Sequence, residues 1–146
     1  MEPVAVFFDT SALVKRYVLE QGSRYVAHFF AISPQPAVAF VSALTYVEMI
    51  AALSRRLPLL PATVYATFLT DYRQGMEKIP VDSAILERGA ALARSHRLRA
   101  ADAIQLASAL RVADTAPDVL VMTADAEMIV AARVMGLHVS NPNQYE

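Results

Sequence analysis

Residues 4–8 read Val-Ala-Val-Phe-Phe, an unbroken apolar run of β-branched and aromatic side chains that stops abruptly at Asp9. Successive strand residues point to opposite faces, so a strand apolar at every position is covered on both sides. That is the condition of a parallel sheet held between helices. Residues 38–42 (VAFVS) and 119–123 (VLVMT) repeat the pattern, and shorter runs at 79–81 (IPV) and 137–140 (LHVS) predict two further strands. Between them lie helical stretches: 11–19, one entered at Gly22 and Ser23, 42–56 with Ser42 as its cap, 61–74, one capped by Asp82 and running to about residue 95, 100–113, and one from Thr123 to about residue 135, ended by Gly136. In the 61–74 stretch Val64, Tyr65, Phe68, Leu69 and Tyr72 form an apolar stripe. The 34–36 and 57–61 segments, rich in proline, read as a loop and a break. Alternating strands and helices predict an α/β sandwich with a parallel sheet of four or five strands, and 146 residues suit one domain over 1–146.

Several functions are excluded at once. The chain has no cysteine, which removes disulfides, zinc–thiolate sites and thiol catalysis. His28, His96 and His138 show no ligand spacing. The net charge of −1 gives no global attraction to nucleic acid, so any such binding needs a local patch. The N-terminus lacks the cationic start of a signal peptide, and the longest nearly apolar run, 37–47, is too short to span a bilayer. The expectation is a soluble cytoplasmic protein. Arginine outnumbers lysine eleven to two, a bias that suits phosphate contacts and that a GC-rich genome also produces.

Four acids fall where an open parallel sheet binds ligands, beyond the carboxyl ends of its strands. Asp9 ends the first strand before the small hydroxyls Thr10 and Ser11; Asp125 follows the fourth strand, just after Thr123; Glu48 and Asp102 lie near the starts of helices. Each has an ordinary structural alternative. Asp102 and Asp125 would favour a helix dipole at a first turn. Glu48 completes a Thr45-x-x-Glu48 capping-box pattern. Asp9 has the weakest such alternative. Asp71, Glu77 and Asp82 read as surface or cap residues. Two carboxylates ~4 Å apart repel by about 4 kcal/mol at an effective dielectric of ~20, a cost that a bound cation removes. An all-oxygen donor set points to Mg²⁺ or Mn²⁺, which supports phosphodiester hydrolysis.

The segment FFDTSALVKRYVLEQGS resembles the opening of PIN domains of the VapC type: a strand, an Asp, small hydroxyl residues, a short helix and a Glu-x-Gly-Ser turn. SALTYVEMIAAL, LRAADAIQLASAL and VMTADAEMIVAARVMGLHV resemble the later motifs, in family order, so the resemblance covers almost the whole chain. It implies a PIN fold and Mg²⁺- or Mn²⁺-dependent cleavage of RNA, with metal on Asp9, Glu48, Asp102 and Asp125, and with Thr10 or Ser11 and Thr123 orienting ligands or water. It further implies a toxin inhibited by a VapB-like antitoxin and a habit of forming homodimers, for which 61–74 or 42–56 would supply the contact. An antitoxin arginine could pair with carboxylates such as Asp9 and Asp102. Gln105 departs from the pattern, since many relatives carry His at that place. A neutral amide there can bond a phosphate or a carboxylate but cannot donate a proton as an acid.

Basic residues near these motifs are candidates for RNA phosphates: Arg16 after Asp9, and Arg97 and Arg99 before Asp102, with Lys15 as a further possibility. Arg94 and His96 read as solvated. Other readings are a phosphoacceptor receiver, which lacks its acidic pair and late lysine here; a haloacid-dehalogenase-type phosphatase, which needs Asp-x-Asp after the first strand; a PIN-fold RNA-processing nuclease without an antitoxin; and a non-catalytic PIN scaffold binding RNA or protein.

Overall fold

The computed structural model describes residues 4–31, 37–57, 59 and 61–146. Strands β1 (Val4–Phe8), β2 (Ala37–Ser42), β3 (Met76–Ile79), β4 (Leu120–Met122) and β5 (His138–Ser140) form one sheet in the order β3-β2-β1-β4-β5. Every neighbouring pair is parallel. The helices are α1 (Thr10–Leu13), α2 (Ser23–His28), α3 (Leu44–Arg56), α4 (Ala62–Thr70), α5 (Ser83–His96), α6 (Ala100–Thr115) and α7 (Ala126–Val134). The predicted α/β sandwich with a parallel sheet is the observed fold, and of the four or five strands expected the sheet has five.

The alternation within β1 builds two cores. Phe7 faces one side, where it packs with Ile85, Leu106, Val121 and Met128 from α5, α6, β4 and α7. Val6 and Phe8 face the other, with Leu13, Val26, Met49 and Phe68 from α1 to α4. All three β1 residues are buried to 1% exposure or less, which is why the run tolerates no polar residue until it reaches the sheet's end.

Some boundaries differ from expectation. The third strand is Met76–Ile79, not 79–81. Met76 pairs in register with Ala39 and Ile79 with Ser42, while Pro80 lacks the N–H needed to continue the ladder. The 11–19 helix is one α-turn followed by a 3-10 turn, Val14–Arg16. The 61–74 helix is α4 followed by a π-turn, Asp71–Gly75, and its stripe divides: Phe68 is fully buried against Tyr17, Tyr46 and Tyr72, while Tyr65 is exposed. Ser42 lies one residue before the cap position of α3, yet its Oγ accepts the Leu44 N–H at 3.1 Å. The last helix starts at Ala126, capped by Asp125 rather than Thr123. Gly22 enters α2 at φ +85°, and a Cβ there would stand 2.4 Å from the Pro142 carbonyl oxygen. The expected loop at 34–36, and Pro58 and Leu60 of the 57–61 break, lie outside the described residues. Among the described residues no helix is long and apolar enough to cross a membrane.

Candidate functional site

The chain runs from β1 outward through β2 and β3, then returns to place β4 and β5 on the other side. The connections therefore diverge at the carboxyl ends of β1 and β4, and a crevice opens there. Asp9 is the first residue past β1, and its N–H bonds the Met122 carbonyl at 3.0 Å. Thr123 follows β4 directly, with its N–H on the Ser140 carbonyl at 3.1 Å. A cavity of about 320 Å³ occupies this crevice. Asp9, Glu48, Asp102 and Asp125 all line it, together with Thr10 and Ser11.

Asp9 is only 4% exposed. Its Oδ2 accepts from the Ser11 hydroxyl at 2.7 Å and the Thr123 hydroxyl at 2.8 Å. Those hydroxyls are fixed in turn, since Ser11 Oγ accepts the Ala124 N–H at 3.0 Å and Thr123 Oγ1 accepts the Asp125 N–H at 3.2 Å. Burial pushes the Asp9 carboxyl above its ordinary range; the two hydroxyls work against that, and the charges of Glu48 and Asp125 add to it.

Glu48 does not close a capping box. Thr45 is already inside α3, fully buried, and its hydroxyl accepts from Gln105 Nε2 at 2.9 Å. The same amide nitrogen donates to Glu48 Oε1 at 2.7 Å, which also accepts from the Thr10 hydroxyl at 2.9 Å. Gln105 is 1% exposed, and among the described residues its Oε1 has no hydrogen-bond partner. The amide is oriented by need: a carboxylate accepts only, so the nitrogen must face Glu48.

Asp102 sits in the first turn of α6, half-buried. Burial, followed by the charges of Asp125, Asp9, Glu48 and Glu127, raises its carboxyl from 3.8 to about 6. Asp125 caps α7 by accepting the Met128 N–H through Oδ1 at 2.9 Å, so its structural role is real while it also lines the cavity. The donor set is all oxygen and its charges repel, which fits a hard divalent cation. Among the described residues no three of the acids stand close enough together to form a ready-made cage. Binding a cation would therefore draw the side chains inward.

The basic candidates are distributed differently. Arg16 donates through Nε to Asp71 at 3.1 Å and covers the Phe30 ring at 4.2 Å; it lines a separate hollow with Tyr17 and Thr67. Lys15 is buried and paired with Glu20 at 3.0 Å, so it is not available to a phosphate. Arg97 is exposed at the end of α5, at φ 55°, beside a hollow formed with His96, Glu127 and Val130. Arg99 is exposed at the cap position of α6. The arginines that do line the acidic cavity are Arg55 and Arg56, which sequence reasoning passed over. Thr45 was read only as a cap. The signal was present: Glu48, Ala51, Ala52 and Arg55 share one face of α3 at helical spacing.

The PIN domain family profile matches residues 6–134. The chain belongs to the PIN-domain family. Ribonuclease VapC45 and ribonuclease VapC49, from two strains of Mycobacterium tuberculosis, are each 32% identical to it over 140 residues, covering 92% of this chain and 94% of theirs. Solved structures share the fold. The VapC20 toxin of Mycobacterium tuberculosis, described as cleaving the sarcin–ricin loop, superposes with a TM-score of 0.67 at 17% identity, covering 86% of this chain and 94% of its own. A toxin–antitoxin complex from Klebsiella pneumoniae matches with a TM-score of 0.63 at 20% identity, covering 94% and 97%. In this PIN domain the four carboxylates thus stand at the sheet's switch point, two of them tied down by hydroxyl and amide donors.

Proposed function

We propose that this PIN domain, spanning residues 1–146, is a divalent-metal-dependent endoribonuclease that hydrolyses RNA phosphodiester bonds and serves as the toxin of a toxin–antitoxin pair. The observation that carries the reading is the convergence of Asp9, Glu48, Asp102 and Asp125 on one open cavity at the carboxyl ends of β1 and β4. The ribonuclease names of its relatives support it.

Mg²⁺ or Mn²⁺ would be held by these four carboxylates, and such an ion supplies charge neutralisation on a phosphoryl group and acidification of water. The chain's own residues orient and position. Ser11 and Thr123 fix the Asp9 carboxylate. Thr10 and Gln105 fix that of Glu48. Gln105 acts as a neutral donor with no part in proton transfer. RNA phosphates flanking the scissile bond would meet arginines, with Arg97 and Arg99 as exposed candidates on the approach to Asp102.

The partner is a VapB-like antitoxin, consistent with the toxin–antitoxin complexes among the similar structures. One of its arginines would pair with Asp9 and Asp102 in a bidentate geometry. A homodimer belongs to the same reading. Because Phe68 is core, the informative surface change on α4 is Tyr65→Asp, read by sedimentation.

The deciding experiment loads purified protein with Mn²⁺ and incubates it with total RNA. Cleavage that stops on chelation and is absent in Asp9→Asn is the expected result. Growth arrest on expression, relieved by the small protein encoded next to this gene, tests the toxin half. No cleavage from any RNA in the panel would defeat the nuclease reading; cleavage without growth arrest would remove only the toxin.

A further inference from the structure

The acidic cavity has a cationic wall. Arg55 and Arg56, in the last turn of α3, both line it. They are not equivalent. Arg56 is ion-paired with Glu20, which also holds Lys15. Arg16 is held by Asp71. Among the described residues Arg55 forms no ion pair, is exposed, and lines the same cavity as the four carboxylates.

Its position on α3 gives the wall a direction. Glu48 and Arg55 are two helical turns apart on one face, about 10 Å along the axis. Ala51 and Ala52 lie between them, and both line the cavity. A carboxylate, two methyl groups and a guanidinium make a shallow rail: anionic where a cation and the scissile phosphate would sit, low in the middle, cationic at the far end. A second phosphate of a strand lying along that rail meets the only one of these four cations not held by a carboxylate among the described residues. A guanidinium suits that contact because its fork matches phosphate oxygens two at a time.

We propose that Arg55 forms a phosphate subsite, binding the RNA backbone at a neighbouring phosphate and fixing the direction in which the strand crosses the acids. This rests on the ribonuclease reading above. The competing role is structural, since a cation on a last helical turn also complements the dipole.

The test measures binding of a short, labelled, mixed-sequence single-stranded oligoribonucleotide by anisotropy, with Ca²⁺ present and strand intactness checked afterwards. In Arg55→Ala, affinity falls roughly tenfold, the lower end for a hydrogen bond between charged groups. The slope of log affinity against log salt becomes shallower by about 0.7, the loss of one single-strand phosphate contact. Arg55→Lys keeps the slope with intermediate affinity. In cleavage assays KM rises with kcat unchanged, the pattern for a contact made equally in ground and transition states. Mn²⁺ affinity holds or tightens, because a cation leaves the neighbourhood of the acids. Arg133→Ala, exposed on the last turn of α7, supplies the control and keeps the wild-type slope. An unchanged slope and affinity in Arg55→Ala, or an equal loss in Arg133→Ala, overturns the subsite while wild-type cleavage leaves the nuclease standing. A wild type that neither binds nor cuts RNA defeats both.

Discussion

The two halves of the acidic site are built differently. Asp9 and Glu48 are each gripped by two side-chain donors, Ser11 with Thr123 and Thr10 with Gln105, at 2.7 to 2.9 Å. These donors come from three separate places, α1, the turn after β4 and α6, so the grip forms only when the sheet and α6 are assembled. Asp102 has no side-chain hydrogen bond among the described residues, and Asp125 accepts only its own helix's Met128 N–H. Asp9 and Glu48 are held by donors within the chain; Asp102 is not, and burial first, then its neighbours' charge, raises its carboxyl to about 6. Within one cavity, positioning by side-chain donors is thus given to Asp9 and Glu48 and not to Asp102 or Asp125.

The largest effect expected from breaking this arrangement is loss of the cation. Asp9→Asn and Asp102→Asn should each weaken Mn²⁺ binding by roughly 100-fold or more, beyond the range for removing an outer-shell partner, while the protein stays folded. Calorimetric titration measures this directly. If both variants bind Mn²⁺ as the wild type does, the site is wrongly assigned.

A smaller effect separates the halves. Thr123→Val deletes one donor to Asp9, and Gln105→Leu deletes one to Glu48; each should cost roughly tenfold in Mn²⁺ affinity, the lower end for an outer-shell partner. Both residues are buried, so melting curves must accompany the titrations. No single neighbour of Asp102 offers an equivalent lever. Unchanged affinity in folded Thr123→Val and Gln105→Leu would show that the gripped half is not preorganised for metal at all.

The same division explains what the sequence disclosed. Features fixed locally were legible: the doubly apolar β1, Asp9 at its end, Asp82 as a cap, and Gly136 at the close of α7. Features fixed by assembly were not. The Thr45-x-x-Glu48 spacing suits a capping box, but α3 begins earlier, and Gln105 from α6 captures both side chains. Lys15 and Arg16 read as free cations until Glu20 and Asp71 closed on them from other turns. Arg55 was passed over, although its register with Glu48 was visible. The π-turn before β3 lets that strand begin at Met76, a shift no local periodicity announces.

The smallest effect concerns metal-free stability, and its sign is the useful part. The Asp102 carboxyl is raised in the folded state, so folding favours its protonated form. Its contribution is fully present below about 3.8 and is lost as pH rises through about 6. At pH 7 the charged Asp102 therefore opposes folding, and Asp102→Asn removes that opposition. The group remains partly open to solvent, which screens the interaction, so the gain is modest: Tm of the metal-free variant should exceed wild type by ~1–3 °C at pH 7. Near pH 4.5 most of the wild-type carboxyl is itself neutral, and the difference should shrink toward zero. Measuring the difference between the two proteins cancels the other carboxylates that titrate in this window. Adding Mn²⁺ at pH 7 should reverse the order, because the wild type binds it far more tightly and gains more stability from it. A Tm difference that stays constant between pH 4.5 and 7 would mean that Asp102 is not raised in the folded state, and the contrast between the gripped Asp9 and Glu48 and the unassisted Asp102 would collapse.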